Sequence, residues 1–305
     1  MILYIFTSRH FLWKVILIMK ELIIGLDFNN LVYGSYYGEK LINSKGINVN
    51  AIQSFFYKMK MLIENLNPNY IVLANDISRD KTFRRKIFPA YKSTRKPTDE
   101  DIITQMKYCS QLAALLGFPF INDPLYEADD ILRMISKYAT ENNMEMIIIS
   151  SDRDLYQLIN DSVFIYSLKN REIIDRNWMY SKYRIYPEQW VELKILMGDR
   201  SDNIPGIEGI GEIGALKLLY EFKTIENIYS HLSSVKPALK DKLINGRDSI
   251  ELMRKLVTIV TDYNLINFNR EMIYRQNAYP DEVYGLLEEL ELNSLINVMR
   301  FSLLA

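Results

Sequence analysis

The chain has 305 residues, 49% of them hydrophobic and 25% charged, with a formal net charge of −1. That supplies the core of one large domain or two modest ones, and it creates no global field drawing the protein to nucleic acid, so any such attraction must be local. One cysteine (Cys109) and two histidines (His10, His231) exclude a disulfide framework and a Cys/His zinc site, and leave little for a Ser-His-Asp or Cys-His nucleophile. Chemistry in this chain must use carboxylates.

The opening stretch MILYIFTSRHFLWKVILIMK is apolar, but Arg9, His10 and Lys14 interrupt it, which makes a poor spanning helix. It also lacks the small-residue cleavage site of a signal peptide. Residues 1–21 are read as an N-terminal extension with Met19 as the natural start; a short amphipathic surface helix is the alternative. A cytoplasmic protein is expected.

Three short, β-branched apolar runs follow: Leu22–Asp27, YIVLAND ending at Asp76, and MEMIIISSD ending at Asp152. Each reads as an interior parallel strand. Helical patterns lie over Asn50–Leu66, Asp99–Leu116 and Glu127–Asn142. This alternation predicts an α/β doubly wound sheet, whose ligands gather at the carboxyl ends of the strands. Each of the three runs delivers an aspartate there. From about residue 185 the pattern becomes helical, with turn signals at Pro187, Pro205, Gly206, Gly209 and Gly211. Residues 22–185 are therefore expected to form the α/β domain and residues 186–305 a helical subdomain.

The acids come in clusters. YEADDIL places Glu127, Asp129 and Asp130 at the start of a helix, where partial positive charge favours acids in any case. SSDRDLYQLI places Asp152 and Asp154 just past a strand, and helix capping accounts for one of them. GDRSDN adds Asp199 and Asp202 on one side of a helical turn. Each cluster alone has an ordinary structural explanation. Together with Asp27 and Asp76 they fall at strand and helix ends that one sheet could bring together, where mutual repulsion would push their pKa values upward. A pair of divalent cations is the physical remedy. Mg²⁺ suits all-oxygen donors, and two such ions roughly 4 Å apart can activate water against a phosphodiester.

Between Asp76 and Glu127 lies a cationic run containing Arg79, Lys81, Arg84, Arg85, Lys86, Lys92, Arg95 and Lys96, with Asp80 as the one acid among them. A solvated helix face would explain it. Interleaved Phe83, Phe88 and Tyr91 suit single-stranded nucleic acid instead, and Pro89 and Pro97 suggest a mobile arch. GIEGIG between two helical patterns reads as a helix–hairpin–helix. In it Gly209 and Gly211 permit a tight turn, and the helix Glu212–Phe222 turns its N-terminus to a phosphate. The acids and the phosphate loop would then serve different parts of one substrate.

YEADDIL, SSDRDLYQLI, FRRKIFPAYKSTR and GDRSDNIPGIEGIGEIGALKLL resemble the 5′-nuclease domain of bacterial DNA polymerase I and the stand-alone bacterial, phage and cellular flap endonucleases, in order, from about Leu22 to about Leu265. The resemblance implies a PIN-like α/β domain with a helical arch over about residues 79–105, and a helix-three-turn-helix element. It also implies two Mg²⁺ ions (or Mn²⁺) and a K⁺ at hairpin carbonyls. By position, Asp27, Asp76, Glu127, Asp129 and Asp130 match the acids of a first metal centre, and Asp152, Asp154, Asp199 and Asp202 those completing the site. Arg84 and Lys92 match cations that engage the scissile phosphate. Tyr91, where a base can stack, and Arg95, Gly206, Gly209, Ile210, Gly211 and Lys217 are the expected DNA contacts. Phe28 and Asn75 depart from the residues usual in the family.

The function expected on that basis is metal-dependent 5′-3′ exonuclease and flap endonuclease activity. The substrates would be DNA with 5′ flaps, nicks or free 5′ ends, and RNA–DNA hybrids, cut by a monomer with no membrane association. Asn in place of Asp130 or Asp154 should abolish cleavage and spare flap binding. A PIN-type ribonuclease would lack the hairpin element, and a binding-only factor would bind without cutting.

Overall fold

A computed structural model describes residues 20–76, 81–260 and 270–299 of the chain. The N-terminal extension up to residue 19, and Arg79 and Asp80 of the expected arch, lie outside the described residues.

LIIGLD forms the central strand β1 (Leu22–Asp27), every residue of which is buried. Its side chains alternate between two cores: Ile23 enters one, while Leu22, Ile24 and Leu26 enter the other. Helix α1 (Phe28–Tyr36) follows directly, and α2 (Asn50–Leu66) returns the chain to β2 (Tyr70–Asp76). A five-residue helix α3 (Phe83–Ile87) and a run of turns precede α4 (Glu100–Leu115), which leads to β3 (Phe120–Asp123). Helix α5 (Ala128–Glu141) connects to β4 (Glu145–Ile149); then come β5 (Val163–Ser167) and β6 (Glu172–Ile174).

The six strands lie in the order β3-β2-β1-β4-β5-β6, parallel except for β6. Strand order reverses direction beside β1, and such a switch point opens a crevice outside the carboxyl ends of the central strands. Asp27 closes β1 at that edge, and Asp152 follows β4. The three expected strands are all present. The sequence reading passed over α1, β3, β5 and β6. FIND and EII are too short to show a period, whereas VFIYS, an apolar run bounded by Asn160–Ser162 and by Lys169 and Asn170, carried a strand signal that the reading left unused.

The remaining helices are α6 (Arg176–Tyr183), α7 (Trp190–Met197), α8 (Glu212–Phe222), α9 (Ile225–Ser230), α10 (Pro237–Gly246) and α11 (Ile250–Val257). They share the core that contains Ile23, with Trp190 fully buried in it. Helices α12 (Pro280–Glu289) and α13 (Asn293–Val298) instead cover the opposite face of the sheet through Val283, Leu287 and Leu295. Among the described residues no helix is long and apolar enough to cross a membrane.

Two glycines make the junction between α7 and α8 possible. Gly198 adopts φ +73°, and a Cβ on Gly206 would stand 2.2 Å from the Gly198 nitrogen. The loop between them is closed by reciprocal 2.8 Å bonds between the Asp199 and Ile204 backbones. Gly206→Ala should therefore lower stability by about 1–3 kcal/mol, the usual cost of overpacking. Gly214→Ala, whose Cβ would meet only Ile210 at 3.7 Å, should be close to neutral. Thermal denaturation of both variants checks the contrast.

Candidate active site

The crevice at the carboxyl ends of β1 and β4 collects acids from five segments. Asp27 is the N-cap of α1, accepting from Asn30 N at 3.2 Å and from Ser150 Oγ at 2.9 Å. Asp76 accepts from Ala128 N at 2.6 Å and from Asn29 Nδ2 at 3.3 Å, which ties β2 to the start of α5. Asp152 caps the 3-10 turn Arg153–Leu158 by accepting from Asp154 N at 2.8 Å. Asp199 accepts from Ser201 N at 2.7 Å and from Asp202 N at 3.2 Å, and so shapes its own loop. Capping is thus real for these residues, and it aims them at one place.

Burial and mutual repulsion set their protonation. Burial, together with Asp76 and Asp152, pushes the Asp27 carboxyl up to about 7. Burial and Asp152 raise Asp154 to about 6. Asp129 is driven well above its ordinary value by burial, Asp152 and Asp27. Glu127, Asp199 and Asp202 have found cations. Burial works against the Glu127 carboxylate as well, yet Lys92 and Arg84 outweigh it and hold that group below its usual range. Asp199 behaves likewise, with Lys194 and Ser201 prevailing over burial. Asp202 is paired with Arg95 and lies 3.7 Å from Lys92 Nζ.

Lys194 is a participant that the sequence reading missed. It is a buried lysine of α7 whose ammonium bridges Asp154 and Asp199. The available signal was a lysine set among Leu193, Ile195 and Leu196 in the mostly apolar stretch WVELKILM, five positions before Asp199.

Arg84 and Asp130 depart from their expected roles. Arg84 is 3% exposed, and all of its donors are engaged. Nη1 and Nη2 each reach Asp130 at 2.7 Å, Nη1 also reaches Glu127 at 3.0 Å, and Nε and Nη2 donate to the carbonyls of Leu256 and Thr258 at 3.0 and 3.1 Å. No N–H remains for a phosphate. Asp130, completely buried, accepts in addition from Glu127 N at 3.1 Å and Val260 N at 2.9 Å, so its lone pairs are spent as well. The pair is a structural clamp that fastens α3, α5 and the end of α11 together.

Tyr91 is 3% exposed and no platform for a base; its hydroxyl lies 2.8 Å from Glu127 Oε2 and 3.0 Å from Asp202 Oδ2. The basic segment around it is docked on the acids rather than arched away from them. Lys92 takes a left-handed backbone (φ 53°), its N–H bonds to Asp202 O at 2.8 Å, and its ammonium pairs with Glu127. Attraction to the carboxylates accounts for that docking.

At the hairpin, Gly209 has the expected positive φ of 76°. Gly211 does not: it is the N-cap of α8 at φ −92°, and a Cβ there would meet nothing. Ile210 is buried and its N–H bonds to Ile207 O at 2.9 Å, so it anchors the turn instead of facing a ligand. Lys217 is exposed, and the first amides of α8, which lack intrahelical partners, can meet an anion. The Gly209 carbonyl accepts from Lys242 Nζ at 2.9 Å. A lysine already supplies positive charge there, so these residues do not call for a K⁺.

Among the described residues no three His, Cys, Asp or Glu side chains stand grouped as a ready metal cage. Lys92, Lys194 and Arg84 hold several of the acids aside. The donor set nevertheless suits divalent cations, because Asp27, Asp129, Asp152 and Asp154 are all-oxygen, and burial with the nearby Asp152 charge raises the pKa of Asp27, Asp129 and Asp154 even with Lys194 beside Asp154.

Family models match both parts of the chain: the 5′-3′ exonuclease N-terminal resolvase-like domain over residues 22–184, and the 5′-3′ exonuclease C-terminal SAM fold over residues 185–279. The chain belongs to the 5′-3′ exonuclease family. Thermostable DNA polymerase I of Thermus thermophilus is 36% identical over 282 residues, which is 91% of this chain and 33% of that protein. DNA polymerase I of Borreliella burgdorferi is 35% identical over 268 residues, 84% of this chain and 29% of that protein. The chain therefore spans about a third of the length of the curated relatives it matches. The fold is shared with the T5 D15 protein co-crystallised with metal ions (TM-score 0.67, 24% identity, 78% of this chain and 89% of that one). It is also shared with the catalytic core of Rad2 in complex with DNA substrate (TM-score 0.58, 16% identity, 92% of this chain and 91% of that one).

Two outcomes are expected for this 5′-3′ exonuclease family member. Arg84→Met strands a buried carboxylate and should cost about 3–5 kcal/mol of stability, measured by denaturant unfolding. Because Asp27 and Asp154 have raised folded-state pKa values, charging them destabilises the metal-free protein progressively as pH rises from about 4 to about 7. Added Mg²⁺ should consequently raise Tm more at pH 7.5 than at pH 5.5. An equal increment at both pH values would contradict the assignment of these carboxylates to a cation site.

Proposed function

We propose that the chain hydrolyses DNA phosphodiesters as a divalent-metal-dependent 5′-3′ exonuclease and flap endonuclease. It would act at 5′ ends and single-/double-strand junctions and leave 5′-phosphate and 3′-hydroxyl products. The observation that carries this reading is the crowding of Asp27, Asp129, Asp152 and Asp154 at the sheet edge, joined through the Gly198–Gly206 closure to a helix N-terminus suited to phosphate.

Asp27, Asp76, Glu127 and Asp129 would hold one Mg²⁺ (or Mn²⁺), and Asp152, Asp154, Asp199 and Asp202 would complete a second centre. Two bound ions would supply an activated water and neutralise charge on the phosphate and the departing oxygen. Lys194 keeps Asp154 and Asp199 at a fixed separation through its two ion pairs. Lys92, now paired with Glu127 and near Asp202, is the cation free to turn to the substrate once those carboxylates have other partners, and it would balance charge growing on the phosphate oxygens. Arg95 stands half-exposed at the rim for the neighbouring phosphate. Gly209 shapes the hairpin while Lys217 and the first amides of α8 hold the duplex. RNA–DNA hybrids would belong to the substrate range, because the residues named would meet phosphates and no base or 2′-hydroxyl recognition is needed. The protein would work as a monomer in the cytoplasm.

Mixing the protein with a labelled 5′-flap oligonucleotide, with Mg²⁺ or with chelator, tests the proposal. Cutting is expected only with the metal. Asp129→Asn and Asp154→Asn should each lower the rate by about 10²–10³-fold or more, the scale of a lost electrostatic contact, with flap binding retained. Binding without cutting in Mg²⁺ would leave a binding factor instead.

A further inference from the structure

The surface suited to phosphate continues beyond the hairpin. Helix α8 turns Ile213, Lys217 and Tyr220 to solvent at i, i+4 and i+7, with Ile213 73% and Tyr220 54% exposed. At its far end Lys223, in a left-handed conformation (φ 70°), sits 4.9 Å over the Tyr220 ring. The turn after α6 is fastened to that same end. The Gln189 side chain accepts from Tyr186 N at 3.1 Å and donates to the carbonyls of Leu219 at 3.1 Å and Lys223 at 2.8 Å.

There Tyr180 and Tyr186 stack in solvent, ring centroids 4.9 Å apart and planes 18° from parallel, 36% and 42% exposed. Arg184 lies 5.8 Å from the Tyr180 ring and is itself left-handed (φ 60°); Arg176 lies 5.4 Å from the Tyr186 ring. Glu188 neutralises Arg176. Among the described residues no ion pair joins Arg184, Lys217 or Lys223 to a carboxylate. Preordered aromatic faces beside cations that no carboxylate pairs suit a duplex backbone, which offers sugar faces and phosphates. A purely apolar partner would leave those charges desolvated and unpaired.

We infer that Tyr180, Tyr186, Tyr220, Arg184 and Lys223 form a second nucleic-acid contact that extends the hairpin's duplex footprint along α8. Eleven helical residues span about 16 Å at roughly 1.5 Å each, so the contact is reached about five base pairs beyond the hairpin. The inference rests on the duplex-binding reading of the hairpin proposed above.

The test compares flap DNAs whose duplex arms end near the hairpin with ones in which each arm in turn is longer by about ten base pairs, enough to pass the patch. Fluorescence anisotropy should give about tenfold tighter binding to the longer form by the unmodified protein, roughly the scale of two added phosphate contacts. Tyr180→Ala/Tyr186→Ala should lose that gain, and so should Arg184→Glu, a single surface change that leaves the stacked rings in place. Both variants should cut short-arm flaps at the unmodified rate. Retention of the length-dependent gain by both variants, or its absence in the unmodified protein, would overturn the inference and leave the patch to a protein partner. Failure of the unmodified protein to bind or cut short-arm flaps would instead defeat the underlying reading of the hairpin.

Discussion

Like charges held close together at the edge of a sheet repel, and the structure of this chain is organised around managing that repulsion. The crevice beside β1 and β4 is where a reversal of strand order leaves space, and acids from β1, β2, α5, the turn after β4 and the loop after α7 all end there. Burial alone would favour their protonation. Three interior cations, Arg84, Lys92 and Lys194, form ion pairs with Glu127, Asp130, Asp154 and Asp199. They leave Asp27, Asp129 and Asp152 crowded, and it is this remainder that gives the site its appetite for added positive charge.

The same cations connect distant parts of the chain. Arg84 joins α3 to the carbonyls at the end of α11, while Gln157 binds the neighbouring Val257 carbonyl and Ile259 amide at 3.1 and 3.0 Å. Lys194 ties α7 to the turn after β4, and Arg153 pairs with Glu212 at the start of α8. The helical part is thus registered on the sheet by polar contacts, those of Arg84 and Lys194 buried, as well as by the shared apolar core. Buried ion pairs contribute little net stability but are costly to break, which makes them better at fixing geometry than at holding the fold together.

Much of this was legible in the sequence because the governing signals are local. β1, β2 and β4 announced themselves as short β-branched runs ending in acids, and α8 by an apolar period after a glycine turn. What a linear reading lacks is which cation meets which acid. Arg84 and Lys92 look alike eight positions apart, yet one is saturated by carbonyls that arrive from residues 256 and 258 while the other, its side chain 14% exposed, is held by ion pairs to acids of the crevice. Asp129 and Asp130 are neighbours, and only the direction of the helix start separates a crowded acid from a clamped one. Lys194 is hidden for the same reason, since its partners lie forty positions before it in one case and five after it in the other.

The central claim, that the residual crowding of acids is a site for paired divalent cations, is tested most directly by diffraction from crystals soaked in Mn²⁺, with anomalous differences recorded. The account predicts two anomalous peaks roughly 4 Å apart, bounded by Asp27, Asp129, Asp152 and Asp154, with Lys92 moved off Glu127. Peaks confined to other surfaces, with the lysine pairs undisturbed at saturating metal, would contradict it.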